Sequence, residues 1–112
     1  MSLDDSLKVD AIGIDEGSGS VVLSILDSWA WRETLPHLAA LQEKLNAYFD
    51  FIESGQLYES YPLAVGRSLT IDIVTRFPMP PEGVVLLEKA SEVADELGVN
   101  VESRHLPDHQ GN

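Results

Sequence analysis

A single long helix is the clearest element that the hydrophobic pattern predicts. Between Thr34 and Ser54, apolar residues recur at alternating spacings of three and four: Leu38, Leu41, Leu45, Tyr48 and Ile52. This spacing places the side chains on one helical face, which is typical of a helix buried along one side. Gly55 follows as a helix stop, because glycine readily adopts the left-handed conformation found there.

The same pattern assigns the remaining helix residues to a face or an end. Thr34 is expected to cap the N-terminus, and Leu35 is expected to turn inward with the apolar stripe. The charged residues are expected to point mostly toward water: Glu43, Lys44, Asp50 and Glu53. Phe49 and Phe51 widen the apolar surface, which favours burial against a sheet over a two-stranded coiled coil.

Four segments have the composition or alternation of β-strands. Residues 9–14 and 20–28 are rich in aliphatic residues and flank a turn cluster at residues 15–19, so they are predicted to form a β-hairpin. From Arg67 to Phe77 apolar and polar residues alternate, as in a half-buried strand. A last short strand begins at Val99 and fades by His105.

A second helix is predicted after the proline-rich break at residues 78–81. Its inward residues recur at helical spacing, and Gly98 ends it: Val84, Leu87, Ser91, Ala94 and Leu97. The element order is therefore β-β-α-β-α-β. It predicts an α+β fold, a two-layer sandwich of a four-stranded sheet and two helices on one face. An arrangement with the helices on opposite faces stays open, as does the strand order.

Length and composition indicate one cytoplasmic domain. The chain has 112 residues, of which 44% are hydrophobic, enough to bury a core. Residues 1–8 and 106–112 lack an apolar pattern and are expected to be flexible tails. There is no cysteine, no apolar leader and no run long enough to span a membrane, so the expected location is the cytoplasm.

The charge balance is the compositional outlier. A formal net charge of −12 repels phosphate backbones, which argues against nucleic-acid binding. It favours a basic protein as partner, because long-range fields accelerate association between opposite charges. An acidic surface is also common simply because it keeps a protein in solution.

No catalytic or metal-binding motif stands out. His37, His105 and His109 are scattered and are interpreted as surface or helix-end residues. Acidic residues recur every four positions on the second helix at Glu88 and Glu92, which is typical of a solvated face rather than a metal site. The glycines of the first turn do not form a phosphate loop. The sequence therefore predicts no cofactor, no metal and no catalytic residue.

Aromatic residues supply the candidate binding surface. These are the residues near element ends that combine a large area with a polar group: Trp29, Trp31, Tyr58, Tyr61 and Arg67. Tryptophan, tyrosine and arginine are enriched at binding hot spots for this reason. The alternative interpretation is that the two tryptophans close the open edge of the core.

The segment Leu41 to Pro62, LQEKLNAYFDFIESGQLYESYP, resembles a family of small bacterial proteins catalogued as a domain of unknown function. The VDAIGID opening at residues 9–15, Trp31 before the helix and the Gly66–Arg67 pair are also similar to that family. The resemblance covers about residues 9–101 and implies one compact domain. It brings no catalytic residues with it.

The leading interpretation is a non-enzymatic cytoplasmic binding module. One concrete form resembles the immunity proteins of bacterial toxin systems, small acidic domains that block basic toxins, and this comparison rests on size and charge. The alternatives are a self-associating structural protein, such as a homodimer, and a small-ligand-binding protein or enzyme with a pocket near Trp29 and Trp31.

Overall fold

The computed structural model describes residues 9–107. In chain order the elements are β1 (Ala11–Ile14), β2 (Val21–Asp27), α1 (Thr34–Glu53), α2 (Gln56–Ser60), a 3-10 turn (Pro62–Ala64), β3 (Leu69–Thr75), α3 (Pro81–Leu97) and β4 (Val99–His105). The order of strands and long helices confirms the predicted β-β-α-β-α-β arrangement. The predicted tails lie mostly outside the described residues, at 1–8 and 108–112.

The sheet is mixed and its strands follow the order β1-β2-β3-β4. β1 and β2 form the predicted antiparallel hairpin, whereas β2 with β3 and β3 with β4 are parallel. Helices α1 and α3 are the two crossovers between parallel strands, and both step in the same direction along the sheet. Because such crossovers are right-handed, both helices lie on one face, which confirms the two-layer sandwich.

The core lies between that face and the two helices. Residues from every layer share one buried cluster, including Leu23 of β2, Ile71 of β3, Leu45 of α1 and Ala94 of α3. The strand predicted after Arg67 is present, and its apolar residues Leu69, Ile71 and Ile73 are buried. Its alternating burial is not observed, because Thr70 and Asp72 on the other face are buried as well. No helix within residues 9–107 covers the opposite face of the sheet, which is called the uncovered face below.

Three helix assignments made from the sequence are wrong. Leu35 is 77% exposed, and His37 is the buried residue of the first turn of α1. Val84 is 47% exposed, and Gly83 is buried in its place at the start of α3. The predicted Ala94 is buried, and Leu87 and Leu97 pack against the core. Thr34 is the first residue of α1 and does not cap it, since the N-cap position belongs to Glu33.

Lys44 corrects the prediction most sharply, because it is fully buried rather than solvated. It lies three residues after Leu41 and four before Tyr48, in the middle of the buried stripe. Its Nζ is 3.1 Å from Oδ1 of Asp10, the residue before β1. A buried ammonium needs such a carboxylate, since an unpaired charge in the core is strongly destabilising.

The same group of residues protects the edge of β2 that the short strand β1 leaves unpaired. Asp10 Oδ2 accepts the Leu26 N–H at 3.0 Å, and the Tyr48 hydroxyl donates to the Ser24 carbonyl at 2.6 Å. Burial raises the pKa of Tyr48 above its ordinary value, so the hydroxyl stays protonated and able to donate. Lys44 neutralises the charge of Asp10. The hydrogen bonds to Leu26 and Ser24 therefore cover an edge of β2 that would otherwise be open to pairing with another strand.

Replacing Lys44 with alanine tests this network. Lys44→Ala leaves the Asp10 carboxylate buried without its counter-ion, and we expect a loss of about 3–5 kcal/mol in the free energy of unfolding. Urea unfolding measures it, with Glu43→Ala, an exposed neighbour on the same helix, as the matched control. Equal losses for the two variants would contradict the assigned role of Lys44.

Candidate functional site

The loop that follows β2 carries both predicted tryptophans. It lies at the carboxyl end of the parallel strands, the edge where open α/β sheets commonly bind ligands. The Trp31 ring stacks on the ring of His37, with centroids 3.5 Å apart and planes 12° apart. Trp29 meets the same imidazole at a tilt, with centroids 5.4 Å apart. The two tryptophans therefore share one partner in the first turn of α1.

His37 is held by a carboxylate from the end of β2. Asp27 continues the inward alternation of Leu23 and Ile25, so its side chain turns toward α1. The Nε2 atom of His37 lies 2.6 Å from Asp27 Oδ2. The backbone N–H of Trp29 donates to Asp27 Oδ1 at 3.1 Å. His37 does lie at a helix end, in the first turn of α1, but it is 2% exposed, so its interpretation as a surface residue is wrong.

A pocket of about 470 Å³ opens beside this cluster. It is called the tryptophan pocket here, and it is lined by Trp29, Ala30, Arg32, Glu33, Pro36 and His37. Two buried ring nitrogens have no hydrogen-bond partner among the described residues: Nδ1 of His37, which lines the pocket, and Nε1 of Trp31, which stacks on His37. In the neutral tautomer that donates from Nε2 to Asp27, Nδ1 is an acceptor, and the indole N–H of Trp31 is a donor. The cluster therefore retains unused hydrogen-bonding capacity.

Close packing holds Trp31 against the start of α3. A Cβ atom added at Gly83 would overlap the Met79 side chain and contact the Trp31 ring at 3.5 Å. Glycine at this position lets the first turn of α3 approach the tryptophan. The lack of a side chain at Gly83 therefore allows α3 to pack closely against Trp31.

The other predicted site residues lie at the opposite end of the parallel strands. Tyr58 and Tyr61 belong to the segment between α1 and β3, and Arg67 precedes β3 at the amino end of the parallel strands. Arg67 donates to the Gly19 carbonyl at 2.9 Å and to the Leu63 carbonyl at 3.0 Å, which ties the hairpin turn to this segment. The structure therefore unites Trp29 with Trp31 and separates both from these three residues. Binding by any of the five stays a prediction.

The uncovered face holds a second, more polar depression of about 400 Å³. It is called the acidic recess here, and its lining includes Asp15, Ser20, Thr70, Asp72, Glu102 and Arg104. The hairpin turn, β3 and β4 each contribute side chains. The recess therefore joins parts of the chain that are distant in the sequence.

Asp72 is the central charge of the acidic recess. Its side chain is only 5% exposed, and its Oδ2 accepts a hydrogen bond from Arg104 Nε at 2.9 Å. Its Oδ1 is buried without a hydrogen-bond partner in the described part of the chain. In the parallel register Asp72 lies directly beside Glu102, which places two acids next to each other.

Asp15, in the hairpin turn, adds a third carboxylate. The Ser18 hydroxyl donates to its Oδ2 at 2.7 Å and the Ser18 N–H at 3.1 Å. These bonds favour the ionised form and hold the pKa of Asp15 below its ordinary value. The carboxylate is therefore charged throughout the neutral pH range.

Comparison with known proteins assigns the chain to a family but gives no activity. The model of DUF6572, a family of unknown function, matches residues 1–107. The chain belongs to this family. No curated protein and no solved structure matches it. Family membership therefore assigns no role to any residue, and this DUF6572 member must be interpreted from its own geometry.

Two further findings concern membrane-spanning helices and metal-binding clusters. None of the helices within residues 9–107 combines the length and apolarity needed to cross a membrane. In the same range, no three carboxylate, imidazole or thiol groups come together in a way that would hold a metal ion.

Sequence reasoning missed Asp27, His37 and Asp72, although a partial signal exists for each. His37 lies four residues before Leu41 and is therefore in phase with the buried stripe. Asp72 interrupts a strand rich in apolar residues and Asp27 ends one, and a carboxylate is unusual in both places. Periodicity indicates that such residues are buried, but it does not name their partners.

The Asp27–His37 contact makes a specific prediction about the imidazole. In neutral His37 the proton is expected on Nε2, because Nδ1 has no described acceptor. Long-range ¹H–¹⁵N spectra of the ring measure the tautomer directly. Asp27→Ala removes the acceptor, and we expect a mixed tautomer and a loss of about 1–3 kcal/mol in stability. Asp50→Ala, which removes an exposed acid from α1, is the control, and a bare Nε2 in the native protein would refute the assignment.

Proposed function

We propose that this DUF6572 member is a non-enzymatic, cytoplasmic binding module that docks a basic protein on its uncovered sheet face. The observation that carries the proposal is the acidic recess, where Asp72 and Glu102 lie side by side on neighbouring strands with Asp15 at the same depression. Like charges placed side by side in a sheet are unfavourable. A cationic partner relieves that repulsion.

The charge of the whole chain supports the same partner class. Asp and Glu number 19 against 7 Lys and Arg, so the protein attracts cations from a distance. Glu88, Glu92 and Glu96 are exposed along α3 and extend the negative surface onto the helical layer. Such a field raises association rates, whereas affinity depends on the contacts made at the docked surface.

A narrower form of the proposal is an immunity-type protein whose basic partner is a toxin that it neutralises. Small size and a strongly acidic surface motivate this form. Its consequence is specific: the partner's toxicity is lost when both proteins are expressed together. Undiminished toxicity on co-expression, despite binding, would leave the docking proposal in place and remove the immunity role.

Salt dependence tests the docking proposal. A basic partner captured from the host lysate at low salt is purified, and its Kd is then measured with the isolated proteins as the salt concentration rises. We expect about tenfold or greater weakening between 0.05 M and 0.5 M salt, because screening acts strongly on exposed charges.

Glu102→Lys is expected to weaken the interaction with this purified partner more than Glu43→Lys, which makes the same charge change on helix α1. An interaction that is insensitive to salt, or equally affected by both variants, would contradict docking on the uncovered face.

A second candidate function is the binding of a small ligand in the tryptophan pocket. The observation that favours it is a pocket of about 470 Å³ lined by His37, whose buried Nδ1 has no hydrogen-bond partner among the described residues. Trp29 and Pro36 supply apolar walls. Ligand pockets typically combine such walls with a few polar groups that orient the ligand.

Tryptophan fluorescence tests the second candidate. A ligand that enters the pocket is expected to change the emission of Trp29 and Trp31 and to shift the amide resonances of Ala30 and Glu33 during a fragment screen. Trp29→Ala is expected to weaken such a ligand by about tenfold or more, since aromatic contacts dominate binding hot spots. Tyr61→Ala, at the opposite end of the parallel strands, is the control. Fragments that shift resonances elsewhere and leave this loop unchanged would argue against the pocket.

A further inference from the structure

We infer that the acidic recess binds the ammonium group of a lysine side chain from the partner protein. The inference rests on the proposed docking of a basic protein and specifies the chemistry at its centre. Asp72 is the residue that receives the lysine. Asp15 and Glu102 supply additional negative charge around it.

The first argument is the incomplete coordination of Asp72. One of its carboxylate oxygens is bonded to Arg104, and the other is buried without a partner in the described part of the chain. A buried charged oxygen without a hydrogen bond is costly, more so than a neutral group. An ammonium group provides the missing donor and the missing positive charge together.

The second argument is the charge balance of the recess. Among the described residues that line the depression, Asp15, Asp72 and Glu102 are accompanied by one cation, Arg104. Hydrogen bonds from Ser18 keep Asp15 ionised, so its charge is retained at neutral pH. The Arg104 side chain is 62% exposed, which weakens its compensation through solvent screening. The recess therefore keeps a net negative charge that a monovalent cation reduces.

The third argument distinguishes lysine from arginine. A guanidinium pairs best with a carboxylate through two parallel bonds, one to each oxygen. Arg104 already occupies Oδ2 of Asp72, so only Oδ1 remains for a new partner. A lysine ammonium acts as a compact point charge with three rotatable donors, and it needs only one carboxylate oxygen.

Neighbouring hydroxyl groups suit the remaining ammonium donors. Ser20 Oγ and Thr70 Oγ1 lie 3.3 Å apart on the same depression, and each hydroxyl oxygen has acceptor capacity. Entry requires the exposed side chain of Glu102 to shift, while the bond from Arg104 to Asp72 Oδ2 stays in place. Exposed side chains change rotamer within nanoseconds, so they do not block the recess.

A paired peptide titration tests the inference. A short lysine-rich peptide and its arginine-for-lysine counterpart are titrated into the ¹⁵N-labelled full chain at low salt. We expect the lysine peptide to bind more tightly and to shift the amide resonances of Thr70, Asp72 and Glu102. Asp72→Asn is expected to weaken the lysine peptide about tenfold or more, since charged hydrogen bonds are the strongest class. Asp50→Asn, the same change on helix α1, is expected to leave the affinity within about twofold.

Asp72→Asn also removes the partner of Arg104, so the folded state must be verified from amide dispersion. Glu102→Gln provides a second variant on an exposed side chain, and a smaller but measurable weakening is expected from it. Lack of binding by both peptides would count against docking of a basic partner and against this inference. Binding that Asp72→Asn and Asp50→Asn reduce equally would overturn the recess alone. Equal affinity of the two peptides, with loss on Asp72→Asn, would overturn the choice of lysine.

Discussion

The placement of α1 depends on the need of its buried polar groups to find partners on the sheet. His37 and Lys44 lie on the inward side of the helix, seven residues or about 10 Å apart along its axis. Asp27 at the end of β2 receives the first, and Asp10 before β1 receives the second. Apolar contacts tolerate small sliding, whereas two short polar contacts do not. Together they set where the helix lies over the strands.

The two faces of the sheet treat buried carboxylates differently. On the covered face both oxygens of Asp27 and both of Asp10 have partners, and the charges contribute to a closed structure. On the uncovered face Asp72 has one oxygen bonded and one without a partner among the described residues. The aspartates that support the fold therefore have both oxygens hydrogen-bonded, whereas the aspartate on the face that a partner can approach has only one.

The candidate binding features are separated in space. The tryptophan pocket lies at the carboxyl edge of the parallel strands, and the acidic recess lies on the uncovered face near the hairpin turn. Arg67, which the sequence grouped with Trp29 and Trp31, ties the hairpin turn to the segment before β3 instead. Variants at one depression can therefore be judged against the other, which separates small-ligand binding from protein docking.

The sequence alone determined the elements, because each depends on local spacing: the alternation of β3, the stripe of α1 and the glycine stop at Gly55 were all readable. It also placed Trp29 and Trp31 correctly at an element end. The strand order and the partners of His37 and Lys44 were decided only by the tertiary structure. Parallel strands meet across whole crossovers, and each buried polar residue depends on a carboxylate at least ten positions away. Periodicity shows which way a side chain turns, but what it meets there depends on how distant segments pack.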